Sequence, residues 1–230
     1  MRHLVGTSAL FCLVALVAGA QGPPPEVQQK LAAVKEAVAA NQAALRKYQW
    51  TEHTAISLKG EVKSTKDEMC RYGPDGKVQK TELSPPPPQG SKRGLKGKIV
   101  EKKKDELEDY MQRAVSLVKD YVPPNPQNLE QAFQSGNAMV GEAGPGMVQV
   151  QIKNYWKMGD ALTLTFNSAA KVLTAVTVNT YLDEKDPITL QVNFQTLPDG
   201  TNYAATTTLD APGKKVGVQV QSSNYQRIGA

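Results

Sequence analysis

Cysteine and histidine are nearly missing from this 230-residue chain, which holds two of each. Cys12 and His3 fall within the first twenty residues, so Cys70 and His53 stand alone in the remainder. One cysteine cannot close an intrachain disulfide, and one imidazole with one thiol cannot build a usual zinc site. A Ser-His-Asp triad would have to recruit His53, and no GxSxG motif is present. The remaining nucleophile–base option is a Cys70–His53 pair. A tight turn at Lys59–Gly60 would set His53 opposite Lys66. Cys70 would then lie about four residues farther along, ~13 Å at the strand rise, beyond the reach of proton transfer. Glycines 141, 144 and 146 in "GEAGPG" are too irregular for a dinucleotide or phosphate loop; they precede a strand, and the stretch reads as a loop. The acids of "DEKDP", Asp183–Asp186, lack the ordered spacing of a calcium loop and read as a solvated turn. These absences argue against an enzyme, with no catalytic residue, no metal and no cofactor expected.

Long apolar runs are equally scarce. The single one, Ala9–Val17, follows Arg2 and His3 and precedes the small residues Ala18–Ala20. That is the pattern of a secretory signal peptide, with the cut expected after Ala20. The run falls short of the ~20 residues that span a bilayer; an uncleaved anchor is the alternative. Phe11 precedes Cys12 where a lipoprotein signal needs a small residue, so lipidation is not expected. The chain from Gln21 onward reads as periplasmic or secreted, a single domain over 21–230. Cys70 is then free, paired between chains, or a small buried apolar residue.

Positive charge is confined as well. The formal net charge is +5. Lys92, Arg93, Lys96, Lys98, Lys102, Lys103 and Lys104 face one acid, Glu101, within residues 91–104. The rest of the chain after Ala20 is slightly acidic. Four prolines, Pro85–Pro88, precede this stretch and favour an extended spacer. Asp105 with Glu108 resembles a helix N-cap and its reciprocal partner, and lysines at a helix start oppose the dipole. Residues 84–104 therefore read as a mobile basic loop with Lys102–Lys104 before the helix or in its first turn. Such a loop either keeps the protein solvated or attracts a polyanion such as an anionic membrane surface. Nucleic acid is not expected, because the chain reads as exported and no aromatic residues are interleaved to stack bases.

What is present is periodicity. Val27, Leu31, Val34, Val38 and Leu45 share a helical stripe in "EVQQKLAAVKEAVAANQAALRKY". From Tyr48 the period becomes two, with Tyr48, Trp50, Thr54, Ile56 and Leu58 on one face. "EVKSTKDEMCRY" and "VQKTEL" read as two further strands separated by the turn "GPDGK". A second helix is predicted over Asp105–Tyr121, stopped by Pro123 and Pro124, and a short helical piece around Leu129–Gln134. After it, "MVQVQIKNYW", "LTLTF", "KVLTAVTVNTYL", "ITLQVNFQTL", "NYAATTTL" and "KKVGVQVQSSNY" alternate in an antiparallel meander. One face is apolar and must be covered. The fold class expected is α+β: a curved antiparallel sheet of about nine strands, an open half-barrel, wrapped around two long helices.

This order of elements resembles the bacterial lipoprotein-carrier superfamily, the LolA/RseB-type half-barrel. The stretches "RYGPDGKVQKT", "KDYVPPNPQ" and "TLPDGTNYAATTTLDA" also resemble a family of exported bacterial proteins of unknown function. The superfamily resemblance implies a lipid or lipoprotein ligand held in the concave face beneath the helices; no family motif matches position by position. Tyr48, Trp50, Phe166 and Phe194 are the residues expected to line that face, or else to complete a closed core. The functional expectation is a non-catalytic envelope carrier of a lipid or acylated ligand. The alternative is an envelope scaffold that docks on an anionic partner through the basic loop.

Overall fold

The computed structural model describes residues 36, 38–83, 95–183 and 186–229, with backbone alone for 95–105 and 108. The expected leader and its cleavage site, most of the first helix, and Lys92 and Arg93 lie outside the described residues.

Among the described residues ten antiparallel strands form one open sheet: β1 (Tyr48–Leu58), β2 (Glu61–Tyr72), β3 (Val78–Glu82), β4 (Ala138–Gly144), β5 (Met147–Lys153), β6 (Ala161–Asn167), β7 (Val172–Leu182), β8 (Asp186–Thr196), β9 (Asn202–Ala211) and β10 (Val216–Arg227). Their spatial order is β3-β2-β1-β10-β9-β8-β7-β6-β5-β4. The last strand therefore returns beside the first, joining the N-terminal hairpins to the C-terminal meander, and β3 and β4 are the two edges. The tenth strand is β4. The glycine-bearing stretch read as a loop is a strand, because Ala138, Val140 and Glu142 pair with Ile152, Val150 and Val148. Pairing with a strongly alternating neighbour outweighs the weak strand preference of glycine.

Residues 38–45 are helical (α1), and two further helices, α2 (Leu95–Lys119) and α3 (Pro126–Gln134), lie between β3 and β4 in sequence. A connection between opposite edges of a ten-stranded sheet has to cross its width, about 43 Å at the interstrand spacing. A 25-residue helix covers about 37 Å of that path. Contacts along α2 and just past its end trace the crossing. The Tyr110 ring lies near Lys214 of the β9–β10 turn, Arg113 pairs with Asp183 after β7, and the Tyr121 hydroxyl reaches Asp160 before β6. Helix α2 starts ten residues before the expected Asp105, so Lys96, Lys98 and Lys102–Lys104 belong to a helix, not to a loop. Capping and dipole effects of a few tenths to 1 kcal/mol are outweighed by the good propensity of Leu, Lys and Glu over nearly three added turns. Asn125 caps α3 by accepting from the Gln127 amide at 2.9 Å.

Tyr110, Ala114 and Tyr121 pack with Ile152, Leu162, Val176, Val178, Ile188, Leu190 and Leu209 in a single core between the helices and one sheet face. The period-two pattern chooses that face: Ile152, Leu162, Val178, Leu190, Leu209, Val218 and Ile56 form one row across seven neighbouring strands. Val38 departs from the expected helical stripe, since it is 45% exposed. The described end of α1 is tied down by an amide pair instead: Asn41 donates to the Asn202 carbonyl at 2.8 Å and accepts from the Asn202 amide at 2.7 Å.

Candidate functional site

The inner face of the sheet has two halves. From β5 to β9 it is apolar and packs against α2 and α3, whereas on the edge strand β4 only Ala138 joins this core and Val140 is exposed. On β1, β2 and β3 the same face carries charge. Strand register aligns Trp50 with Cys70 and Lys80, and Glu52 with Glu68 and Glu82. The Trp50 indole donates to Glu52 at 2.9 Å. Lys80 pairs with Glu52 and lies 3.6 Å from Glu68, while Lys66 reaches Glu68 at 2.7 Å and Glu82 at 3.9 Å. Glu52 and Glu68 are nearly buried, so each carboxylate needs such a partner. Burial pushes the Lys80 ammonium down, yet its bond to Glu52 and the charges of Glu52, Cys70 and Glu68 outweigh this and raise it.

Cys70 is fully buried in this lattice, and burial, with Glu52 beside it, pushes its thiol up to about 12. It behaves as a neutral packing group, as one of the sequence readings has it. His53 lies on the opposite face. It pairs with Asp67, not with Lys66, and its Nδ1 is 2.7 Å from Asp67 Oδ1. The one-residue difference comes from a register shift between Ile56 and Ser57, which inserts Lys63 as an extra residue on β2. Cys70 and His53 therefore project from different faces and form no nucleophile–base pair.

Of the four aromatic residues expected on the concave face, Tyr48 and Trp50 come together. The Trp50 ring stacks on Tyr225 at 5.5 Å, with Tyr72 5.5 Å away, and Tyr225 also meets Tyr48 and Tyr203. The Tyr48 hydroxyl is committed to Asp199 at 2.6 Å and accepts from Arg227 at 3.2 Å. Phe166 and Phe194 sit apart from this cluster, half-buried against the apolar core. Sequence reasoning missed Glu52, Glu68, Lys80 and Tyr225. The parity of Glu52 with Trp50 was a usable signal. Tyr225 gave none, because the register shift against β10 between Gln49 and Thr51, with Asn224 at φ 55°, sets its position.

Two features stand out around the inner face among the described residues. Ile56 on β1 and Val220 on β10 are partly buried and lie outside the apolar core. The Tyr110 hydroxyl is buried under α2 with no hydrogen-bond partner among the described residues. Two shallow depressions, of about 340 and 400 Å³, lie at the opposite rim: one by Glu142, Pro145 and Ser168, the other by Arg46, Arg71 and Tyr72. Neither includes the four expected aromatic residues. Among the described residues no group of three or more His, Cys, Asp or Glu could hold a metal, and no helix is long and apolar enough to cross a membrane.

No family model and no curated protein matches the sequence. Solved structures of similar arrangement include a DUF1329 family protein from Desulfovibrio piger, 8% identical, covering 91% of this chain and 95% of that one at a TM-score of 0.41. Another is a putative outer membrane lipoprotein-sorting protein domain from Vibrio parahaemolyticus, 10% identical, with coverage of 88% and 94% and a TM-score of 0.43. A third is a LolA superfamily protein from Nitrosomonas europaea, 7% identical, with coverage of 85% and 94% and a TM-score of 0.36.

Proposed function

We propose that the protein is an exported, non-catalytic binding or carrier protein for a lipid or acylated ligand of the cell envelope. A partly buried apolar strip on the inner face, outside the packed core, supports this reading. Ile56 and Val220 continue the rows of that core toward the ionic lattice of β2 and β3. A chain of methylenes laid along that strip would gain about 0.8 kcal/mol for each group it buries, and the lattice beside it suits a polar headgroup. Tyr110 supports the same reading from the covered half. An ester or amide carbonyl would satisfy its hydroxyl, which otherwise costs about 1–3 kcal/mol. Export rests on the leader pattern of residues 1–20 and agrees with a thiol that needs no partner.

Native mass spectrometry of gently purified protein tests the proposal. A population heavier than the bare chain by the mass of a lipid is expected, and Val220→Asp should deplete it. Tyr110→Phe should also lower ligand retention while leaving thermal stability equal or higher, since it removes an unpaired buried hydroxyl. Recovery of the bare chain alone, from wild type and variants alike, would sink the carrier reading.

A further inference from the structure

The loop between β5 and β6 displays two large apolar side chains in solvent. Trp156 is 50% exposed and Met158 84% exposed, while their neighbours Tyr155 and Asp160 are buried. Exposure here is enforced by the backbone. The Asp160 carboxylate, 2% exposed as a residue, accepts from the amides of Tyr155 at 2.6 Å, Trp156 at 3.0 Å and Lys157 at 2.8 Å, and from the Tyr121 hydroxyl at 2.6 Å. The Asn154 amide donates to the Asp160 carbonyl, and the Asp160 amide to that of Lys157. The Gly159 amide donates to the Asn154 side chain at 2.7 Å, and the Tyr181 hydroxyl to the Met158 carbonyl at 2.7 Å. Every backbone N–H from Asn154 to Asp160, that of Met158 excepted, thus has an acceptor within the described residues.

Such a loop can enter a medium poorer in water with most of its amide donors already satisfied, which lowers the main cost of putting irregular backbone there. Its charge suits an anionic surface. Lys153 is exposed, and Lys157 lies over the Tyr181 ring at 3.9 Å and donates to the Tyr181 carbonyl. Within the segment the one acid, Asp160, is turned inward. Of the acids nearby, Asp183 is bound to Arg113, and Asp120 follows Lys119 at the end of α2. Tryptophan prefers the headgroup level of a bilayer, where an apolar ring and a polar N–H are both accommodated. We infer that the Asn154–Asp160 loop is a membrane-docking tip that seats Trp156 and Met158 among the headgroups of an anionic bilayer, with Lys153 and Lys157 against their phosphates. This contact is separate from the carrier site and does not depend on it.

The protein has two tryptophans, and the other, Trp50, is buried. A Trp50→Phe background therefore leaves a fluorophore that reports the loop alone. Vesicles containing phosphatidylglycerol should shift its emission to the blue, and brominated lipid should quench it. Trp156→Ala with Met158→Ser should weaken vesicle co-sedimentation about tenfold or more, with an unchanged melting temperature and unchanged ligand mass in the native spectrum. Lys153→Gln should weaken it about fivefold. The proposal is overturned if anionic vesicles leave the emission unchanged or if the double variant sediments like wild type. It is equally overturned if the double variant alters only self-association of the free protein, which would make the loop a contact between copies. Equal binding to pure phosphatidylcholine would likewise overturn it, because the proposed surface is an anionic one.

Discussion

At the scale of single residues, a bulge of one residue decides the fate of Cys70. Without Lys63 as an extra residue, the Lys59–Gly60 turn would place Cys70 opposite Gln49, on the outer face with His53. With it, Cys70 faces Trp50 and is sealed beneath the β1–β3 lattice. Period-two alternation was readable within β1 and within β2, but the phase between them was not, because no local signal marks the bulge. A testable consequence follows from the raised thiol. Native Cys70 at pH 8 should react with a thiol reagent about a thousandfold more slowly than in denaturant, given a free-cysteine pKa near 8.5. Comparable rates would mean that this end of the sheet opens readily. The same shift makes the thiol's contribution to stability full below its unfolded pKa and lost as pH rises toward 12.

At the scale of elements, the β1–β3 hairpins differ in kind from the meander. The meander is held by apolar rows under α2, whereas β2 and β3 present Lys66, Glu68, Lys80 and Glu82 on the equivalent face. Removing one member of such a lattice leaves nearly buried carboxylates without their counter-charge. Lys80→Met should cost about 1–3 kcal/mol in urea unfolding, discounted for the partial exposure of the ammonium. Adding Glu52→Gln should recover part of that loss. If Lys80→Met is neutral while the fold is retained, solvent reaches Glu52 and the lattice contributes little. Helix α2 shows the limits of local rules in the other direction. Its apolar stripe from Leu107 to Val118 was legible and packs as expected, but its start was misplaced because a plausible cap at Asp105 weighed less than continued helical propensity.

For the molecule as a whole, a small polar knot adds to the β1–β10 ladder that joins the chain's two halves. Asp199, in the β8–β9 turn, accepts from the Tyr48 hydroxyl of β1 at 2.6 Å, the Arg227 guanidinium of β10 at 2.8 Å and the Thr201 amide at 3.0 Å. The Tyr48 bond first, then those of Arg227 and Thr201, holds its carboxyl well below the usual carboxylate range. A carboxyl lowered in the folded state stabilises above its unfolded pKa near 3.9 and loses that effect as pH falls. The melting-temperature gap between wild type and Asp199→Asn should therefore be constant from about pH 5 to 8 and narrow below about pH 4. A gap that persists unchanged into stronger acid would assign the difference to packing instead.

The sequence by itself determined which segments other than β4 and the start of α2 are helix or strand, which side of most strands is apolar, and that one sheet face needed covering, because these follow from periodicity and propensity within a window of a dozen residues. It also held, unread, the parity that sets Glu52 beside Trp50. Only the tertiary structure decided that β10 closes on β1 and that a glycine-bearing loop becomes the edge strand β4. It likewise decided which face Cys70 meets and that Trp156 and Met158 are held out in water. Each of these depends on a partner far away in the chain: a register, a bulge or a buried carboxylate collecting distant donors. Local spacing carries no record of such pairings.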